Sequence, residues 1–125
     1  MITGIGTDIV SIKKIESLIV TYKQRFIQKI YTKAEQKYCE ARVDRFQHYA
    51  VRFAAKEALL KSLGTGLRNG IKWKDMEFLN DDLGKPCLIH HGAVSNMIHT
   101  RGIRHIHITF SHAEDMAIAF IVLED

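Results

Sequence analysis

Two carboxylates and a lysine occupy positions that packing alone would give to other residues. Glu57 lies in Arg52-Phe53-Ala54-Ala55-Lys56-Glu57-Ala58-Leu59-Leu60-Lys61. At about 100° per residue, Phe46, Ala50, Phe53 and Gly64 fall in a narrow wedge around it, which predicts a carboxylate in the middle of an apolar stripe. Such a group needs a raised pKa, a cation or a metal ion, because an unpaired buried charge is strongly destabilising. Lys61, one turn on, is the nearest cation, and a plain Glu57–Lys61 pair is the simplest arrangement. Asp8 follows Gly4 and Gly6 on one face of a strand, beyond a surface stripped of side chains that a helix or a ligand can approach closely. Capping of the following helix is the ordinary alternative for it. Together, Asp8 and Glu57 offer what magnesium needs when waters and substrate phosphates complete its shell.

Other candidates are weaker. Gly64-Thr65-Gly66 follows a helix instead of opening one, so it reads as a helix stop whose backbone could also approach a ligand, not as a Walker loop. Six of seven histidines, His90, His91, His99, His105, His107 and His112, match none of the spacings that hold zinc. His112 stands apart because it follows Ser111 where a tight turn is expected. Cys39 and Cys87 lack metal or redox spacing and read as packing thiols.

The elements that must position these residues are legible as alternating patterns. Ile2 to Val10 reads as a strand, with Ser11 as N-cap of an amphipathic, basic helix to about Lys23. Arg25 to Tyr31 continues it after a break, and Thr32-Lys33-Ala34-Glu35 is a capping box opening the next helix. Asp44 is the expected cap of the long helix ending at Leu63. Beyond Gly70 the pattern turns to strands: Ile71 to Trp73, Met76 to Leu79 and Pro86 to His90, the last two joined through Asn80-Asp81-Asp82-Leu83-Gly84. A short helix from Gly92 to Thr100 precedes two strands, Ile103 to Ser111 and Met116 to Leu123, joined at His112-Ala113-Glu114-Asp115. The last strand is apolar on both faces and is therefore central in its sheet or covered by another subunit.

A length of 125 residues predicts a single domain, 1–125, and the one proline and 46% hydrophobic content are those of a packed protein. No apolar run approaches a membrane span and no targeting signal is visible, so a cytoplasmic protein is expected. Residues 1–62 carry twelve Lys and Arg against six Asp and Glu, whereas 63–125 carry six against eight. A basic half suggests an anionic partner. A non-catalytic nucleotide or nucleic-acid binding module would also fit that asymmetry, but the basic residues lack the interleaved aromatics on which bases stack.

Taken together, Gly4-Ile5-Gly6-Thr7-Asp8-Ile9-Val10, Arg52 to Ala58 with Lys61 and Gly64-Thr65-Gly66, Gly84-Lys85-Pro86, and Ser111-His112 before Ala117-Ile118-Ala119 resemble the holo-acyl-carrier-protein synthases, across nearly the whole chain. The resemblance implies an α+β fold, with a long central helix and shorter helices on a small, mainly antiparallel sheet. It implies transfer of 4'-phosphopantetheine from coenzyme A to a serine of acyl carrier protein, in support of fatty acid biosynthesis. In that reading Asp8 and Glu57 hold Mg²⁺, and Glu57 is also the base, directly or through a metal-bound water. Lys61 meets phosphate oxygens. Arg52, Gly64, Gly66, Lys85, Pro86 and His112 line the nucleotide pocket, with Arg52 serving a site shared with another subunit. Lys13, Lys14 and Arg25 dock the acidic carrier, Lys14 standing where the family commonly has arginine. A homotrimer with sites between protomers, and neither nucleic acid nor membrane as partner, complete the expectation.

Overall fold

The computed structural model of the protein describes residues 1–125. Strand β1 (Ile2–Ser11) leads into helices α1 (Ile12–Tyr22), α2 (Gln24–Ile30), α3 (Lys33–Glu40) and the long α4 (Arg45–Leu63). A hairpin of β2 (Met76–Asn80) and β3 (Pro86–His90), helix α5 (Gly92–Thr100), and strands β4 (His105–Ala113) and β5 (Met116–Glu124) follow. The strands form two antiparallel sheets, β1-β5-β4 and β2-β3, so the expected α+β architecture is present with its sheet divided in two. No helix is long and apolar enough to cross a membrane.

Local chemistry sets most boundaries. The Ser11 hydroxyl accepts from the Lys14 amide and caps α1. Lys23, at φ 49°, breaks the chain between α1 and α2. Both halves of the Thr32–Glu35 capping box form at the start of α3. Helix α4 ends on Gly64 at φ 74°, whose amide donates to the Leu60 and Lys61 carbonyls.

Three expectations need correction. Ile71 to Trp73 is not a strand: the Asp75 carboxylate accepts from the Lys72 amide at 3.0 Å, and a 3-10 turn spans Trp73–Asp75. Asp44 stands at the N-cap of α4 as expected, but its side chain makes no capping bond; the carboxylate instead meets His48 Nε2 at 3.1 Å. The β4–β5 ladder runs on to Ala113 and Met116, so His112 lies in a strand opposite Ala117 and the turn is only Glu114-Asp115. The strand apolar on both faces, β5, is the central one, which is one of the two arrangements expected for it. Ala117, Ala119, Ile121 and Leu123 are buried, while Phe120 on the other face stays 40% exposed beside the exposed Ile5 and Ile9 of β1.

The sheet packs on α4, which is buried almost all round, and two apolar clusters meet along it. Between them lies a buried ion pair that the sequence did not reveal. Lys56 Nζ donates to Glu35 Oε1 and the Ile30 carbonyl at 2.6 Å each and to the Trp73 carbonyl at 3.3 Å. Glu35 also accepts from the Thr32 and Phe78 amides. All three ammonium protons are thereby used, and α2, α3, α4, β2 and the Trp73 turn are tied at one point.

Removing one member of this pair strands the other's charge. Lys56→Met is expected to destabilise by about 3–5 kcal/mol. Urea denaturation of Lys56→Met, Glu35→Leu and the double variant should show a double-variant loss well below the sum of the single losses; simple additivity would mean the pair is not coupled.

Candidate active site

Contact between β1 and α4 builds the site. A methyl at Gly6 would sit on the Ala58 carbonyl oxygen and one at Gly4 on that of Ser62, so the helix lies directly on the strand backbone. Asp8, next on the same face, reaches past the contact to the side of α4. Lys61, whose side chain leans back toward the helix N-terminus as helical side chains do, meets Asp8 Oδ1 at 2.9 Å and the Thr7 carbonyl at 3.0 Å. The pairing is therefore Asp8–Lys61, not the Glu57–Lys61 pair that spacing favours.

Glu57 is half-buried, not a core residue. In the wedge around it only Ala50 is buried; Phe46 and Phe53 are partly covered and Gly64 is exposed, so this is the most open strip of α4. A helix apolar on nearly all sides gives no reliable inward direction. Burial raises the Glu57 pKa first and the nearby Asp8 carboxylate adds to it, against the opposing charge of Lys61. Lys61 is 55% exposed and Asp8 18%, so their pair is partly open to solvent and a weak brace.

Two carboxylates crowded beside one lysine suit a hard divalent cation that keeps waters and takes phosphate oxygens. No group of three or more His, Cys, Asp or Glu residues forms a cage, so any metal here would need substrate oxygens in its shell. Gly64 and Gly66 lie just beyond this site, both at positive φ. Between them Thr65 Oγ1 is the one buried side-chain polar atom without a hydrogen-bond partner. Sequence reasoning treated Thr65 only as part of a helix stop, and no sequence signal marks it further.

The other expected site residues gather elsewhere. Arg52, Gly84 and His112 line a cavity of about 280 Å³ together with His48, Asn80 and Ser111. Lys85 and Pro86 follow Gly84 out of the β2–β3 turn, and the Lys85 amide is held by Asp81. Arg52 is not a free phosphate ligand. It is fully buried, donating to the Phe78 and His48 carbonyls and Asn80 Oδ1, with its guanidinium 4.3 Å from the centre of the Tyr38 ring. Its structural duty is to fasten β2 to α4.

The two groups lie on opposite edges of the sheet. Asp8 and Phe110 both pair across Ala119, with β5 between them, which sets their strands about 10 Å apart. Lys13, Lys14 and Arg25 are exposed on α1 and α2.

Comparison with known proteins agrees with the motifs. The family description that matches residues 4–121 is the 4'-phosphopantetheinyl transferase superfamily. The chain is 40% identical over 125 residues to the holo-[acyl-carrier-protein] synthase of Koribacter versatilis, covering 100% of both chains. The crystal structure of the Neisseria meningitidis holo-[acyl-carrier-protein] synthase superposes with a TM-score of 0.92 at 38% identity, with both chains fully covered. The synthase from Bacillus anthracis, solved in complex with coenzyme A (3',5'-ADP), gives a TM-score of 0.79 at 33% identity over 98% of this chain and 96% of that one.

A carboxyl whose pKa is raised on folding destabilises the fold once ionised, with the loss growing as pH rises from the ordinary value of 4.5 through the raised one. Glu57→Gln is therefore expected to be more stable than the parent at about pH 7, with the advantage fading below the ordinary carboxylate range. Thermal denaturation across that range checks it; an advantage that does not vary with pH would show that the carboxyl is not the cause.

Proposed function

The chain belongs to the 4'-phosphopantetheinyl transferase superfamily, and from that premise we propose that it is a holo-acyl-carrier-protein synthase. It transfers 4'-phosphopantetheine from coenzyme A to a serine hydroxyl of apo acyl carrier protein and releases adenosine 3',5'-bisphosphate. Full-length likeness to such synthases supports this, and the observation that carries it is the meeting of Asp8, Glu57 and Lys61 at the β1–α4 contact. None of the relatives named above is a nucleic-acid binding module, and nothing in the site favours that alternative.

Asp8 and Glu57 fit a magnesium ion. When bound there, it would neutralise charge on the coenzyme A pyrophosphate. The Glu57 carboxylate is suited to take the proton of the carrier serine as the serine oxygen attacks phosphorus. The bond to the adenosine bisphosphate oxygen breaks in line, and the electron pair leaves on that oxygen. Lys61, drawn from Asp8 to the leaving phosphate, balances the charge that develops there. The Gly64 and Gly66 backbone forms one wall of the nucleotide pocket, and the Thr65 hydroxyl offers a hydrogen bond that the fold leaves unmade.

The remaining pocket residues, Lys85, Pro86 and His112 over the Arg52 floor, belong to the opposite sheet edge. A homotrimer in which each site takes one edge from each of two copies would reunite them. The exposed apolar face carrying Ile5, Ile9 and Phe120 supports such packing. In this reading the chain is one catalytic domain of the cytoplasm serving fatty acid biosynthesis, with Lys13, Lys14 and Arg25 receiving the acidic carrier.

Mass spectrometry of apo acyl carrier protein incubated with the protein, coenzyme A and Mg²⁺ should show a gain of one phosphopantetheine, lost on chelation; no gain with any divalent metal overturns the assignment. Asp8→Asn should abolish the gain while the circular dichroism spectrum is kept. Reversing charge at Lys14 and Arg25 should raise KM for the carrier and leave KM for coenzyme A unchanged, whereas equal weakening of both would remove these residues from docking.

A further inference from the structure

A cavity of about 520 Å³ lies where α1, the break after it, α2, α3 and the start of α4 meet, and none of its lining residues belongs to the two groups described above. Its apolar floor is Ile19, Ile27 and the ring of Tyr49, all buried, with Val20 beside them 60% exposed. That volume is in the range of small-molecule pockets.

The polar lining is partly spent on the fold. Glu40 Oε2 accepts from the Tyr49 hydroxyl at 2.7 Å and from Arg45 Nη1 at 3.2 Å, so the one carboxylate of the lining is already engaged. Gln36 donates to the Tyr31 carbonyl at 3.0 Å and keeps an acceptor oxygen. The groups left over are otherwise donors. Gln24 Oε1 accepts from Gln28, which leaves the Gln24 amide hydrogens. Lys23 joins none of the ion pairs of the protein. Arg45 keeps the rest of its guanidinium, held over the Phe46 ring at 4.2 Å.

Two cations against one carboxylate leave a single positive charge around an apolar floor. A monoanion with an apolar body matches both features. A neutral body would leave that charge unanswered, and a cationic one would meet two like charges. We propose that this cavity binds a monomeric amphiphile with a carboxylate head, of the chemical class of a fatty acid. Its chain lies on Ile19, Ile27 and Tyr49, and its head is held by Lys23, Gln24 and Arg45. The site does not depend on the transferase reading. An occupant bridges the break at Lys23, where φ is 49°, and so ties α1 and α2, which carry Lys14 and Arg25, to α3 and α4.

Isothermal titration calorimetry of the full chain with decanoate, kept below its micelle concentration, tests the site without carrier or coenzyme A. Saturable binding of one decanoate per chain is expected, tightening by about fourfold per added methylene from octanoate to decanoate. Lys23→Asn/Arg45→Gln should weaken it by about tenfold or more, with the circular dichroism melt confirming that the variant is folded. Amide NMR shifts on the parent protein place the ligand independently of any variant, and should centre on Val20, Gln36 and Tyr49. Decanol or decyltrimethylammonium binding as tightly as decanoate would overturn the proposal, because neither head needs the donors. Shifts centred on Asp8 and Glu57 would also overturn it, as would unchanged affinity in the double variant. Adsorption to anionic phospholipid vesicles with no binding of monomeric decanoate would replace the site by a membrane-facing patch.

Discussion

The direct seating of α4 on β1 is the constraint on which the site depends. Gly4 and Gly6 leave no side chain between strand and helix, and the Ala58 and Ser62 carbonyls occupy the space where Cβ atoms would lie. A helix that close brings the next residue on the same face, Asp8, into reach of Lys61 and near Glu57. Had the strand carried alanine at either glycine, the helix would stand off and the two carboxylates would separate. The apolar stripe of α4 is therefore less important to the chemistry than the bare strip opposite it.

Closeness of this kind needs the helix held from its other sides. The Lys56–Glu35 pair does so at mid-helix, using the capping-box glutamate of α3 to receive both an ammonium and the Phe78 amide. Arg52 does so one turn earlier through the backbone of β2. Charges buried this deeply are tolerated because nearly every donor and acceptor is satisfied, and their value lies in fixing one arrangement among several that an alanine- and leucine-rich helix could adopt. Rigidity behind the helix is matched by exposure in front, where Glu57 and Lys61 remain in reach of solvent and ligand.

Separation of the expected pocket residues onto two sheet edges follows from topology. With β5 central, β1 and β4 are both edges, and the chemistry-bearing Asp8 and the pocket-lining His112 face different openings. The proposed homotrimer, by applying one copy's β4 edge to another's β1 edge, would make a single long pocket from two partial ones. The open apolar sheet face gives such an assembly a driving force, because burying Ile5, Ile9 and Phe120 removes apolar surface from water.

Much of this protein is legible in its residues. Ser11, the Thr32–Glu35 box and Gly64 mark helix ends through local hydrogen bonds and backbone sterics, which depend on neighbours in sequence and so are written there. The glycine face ending in Asp8 and the placement of Glu57 offer a hard-cation site as one reading of the residues, whereas the phosphate roles of Lys61 and Gly64 come only from the resemblance of the assembled motifs to a known family. Tertiary structure alone decided which way α4 faces, because a helix apolar on most sides has no periodicity to orient it. It also decided that Lys61 meets Asp8 rather than Glu57, that Arg52 and Lys56 are buried, and that His112 belongs to a strand. Those outcomes depend on atoms brought together from distant parts of the chain, and no local pattern of residue types encodes such distances.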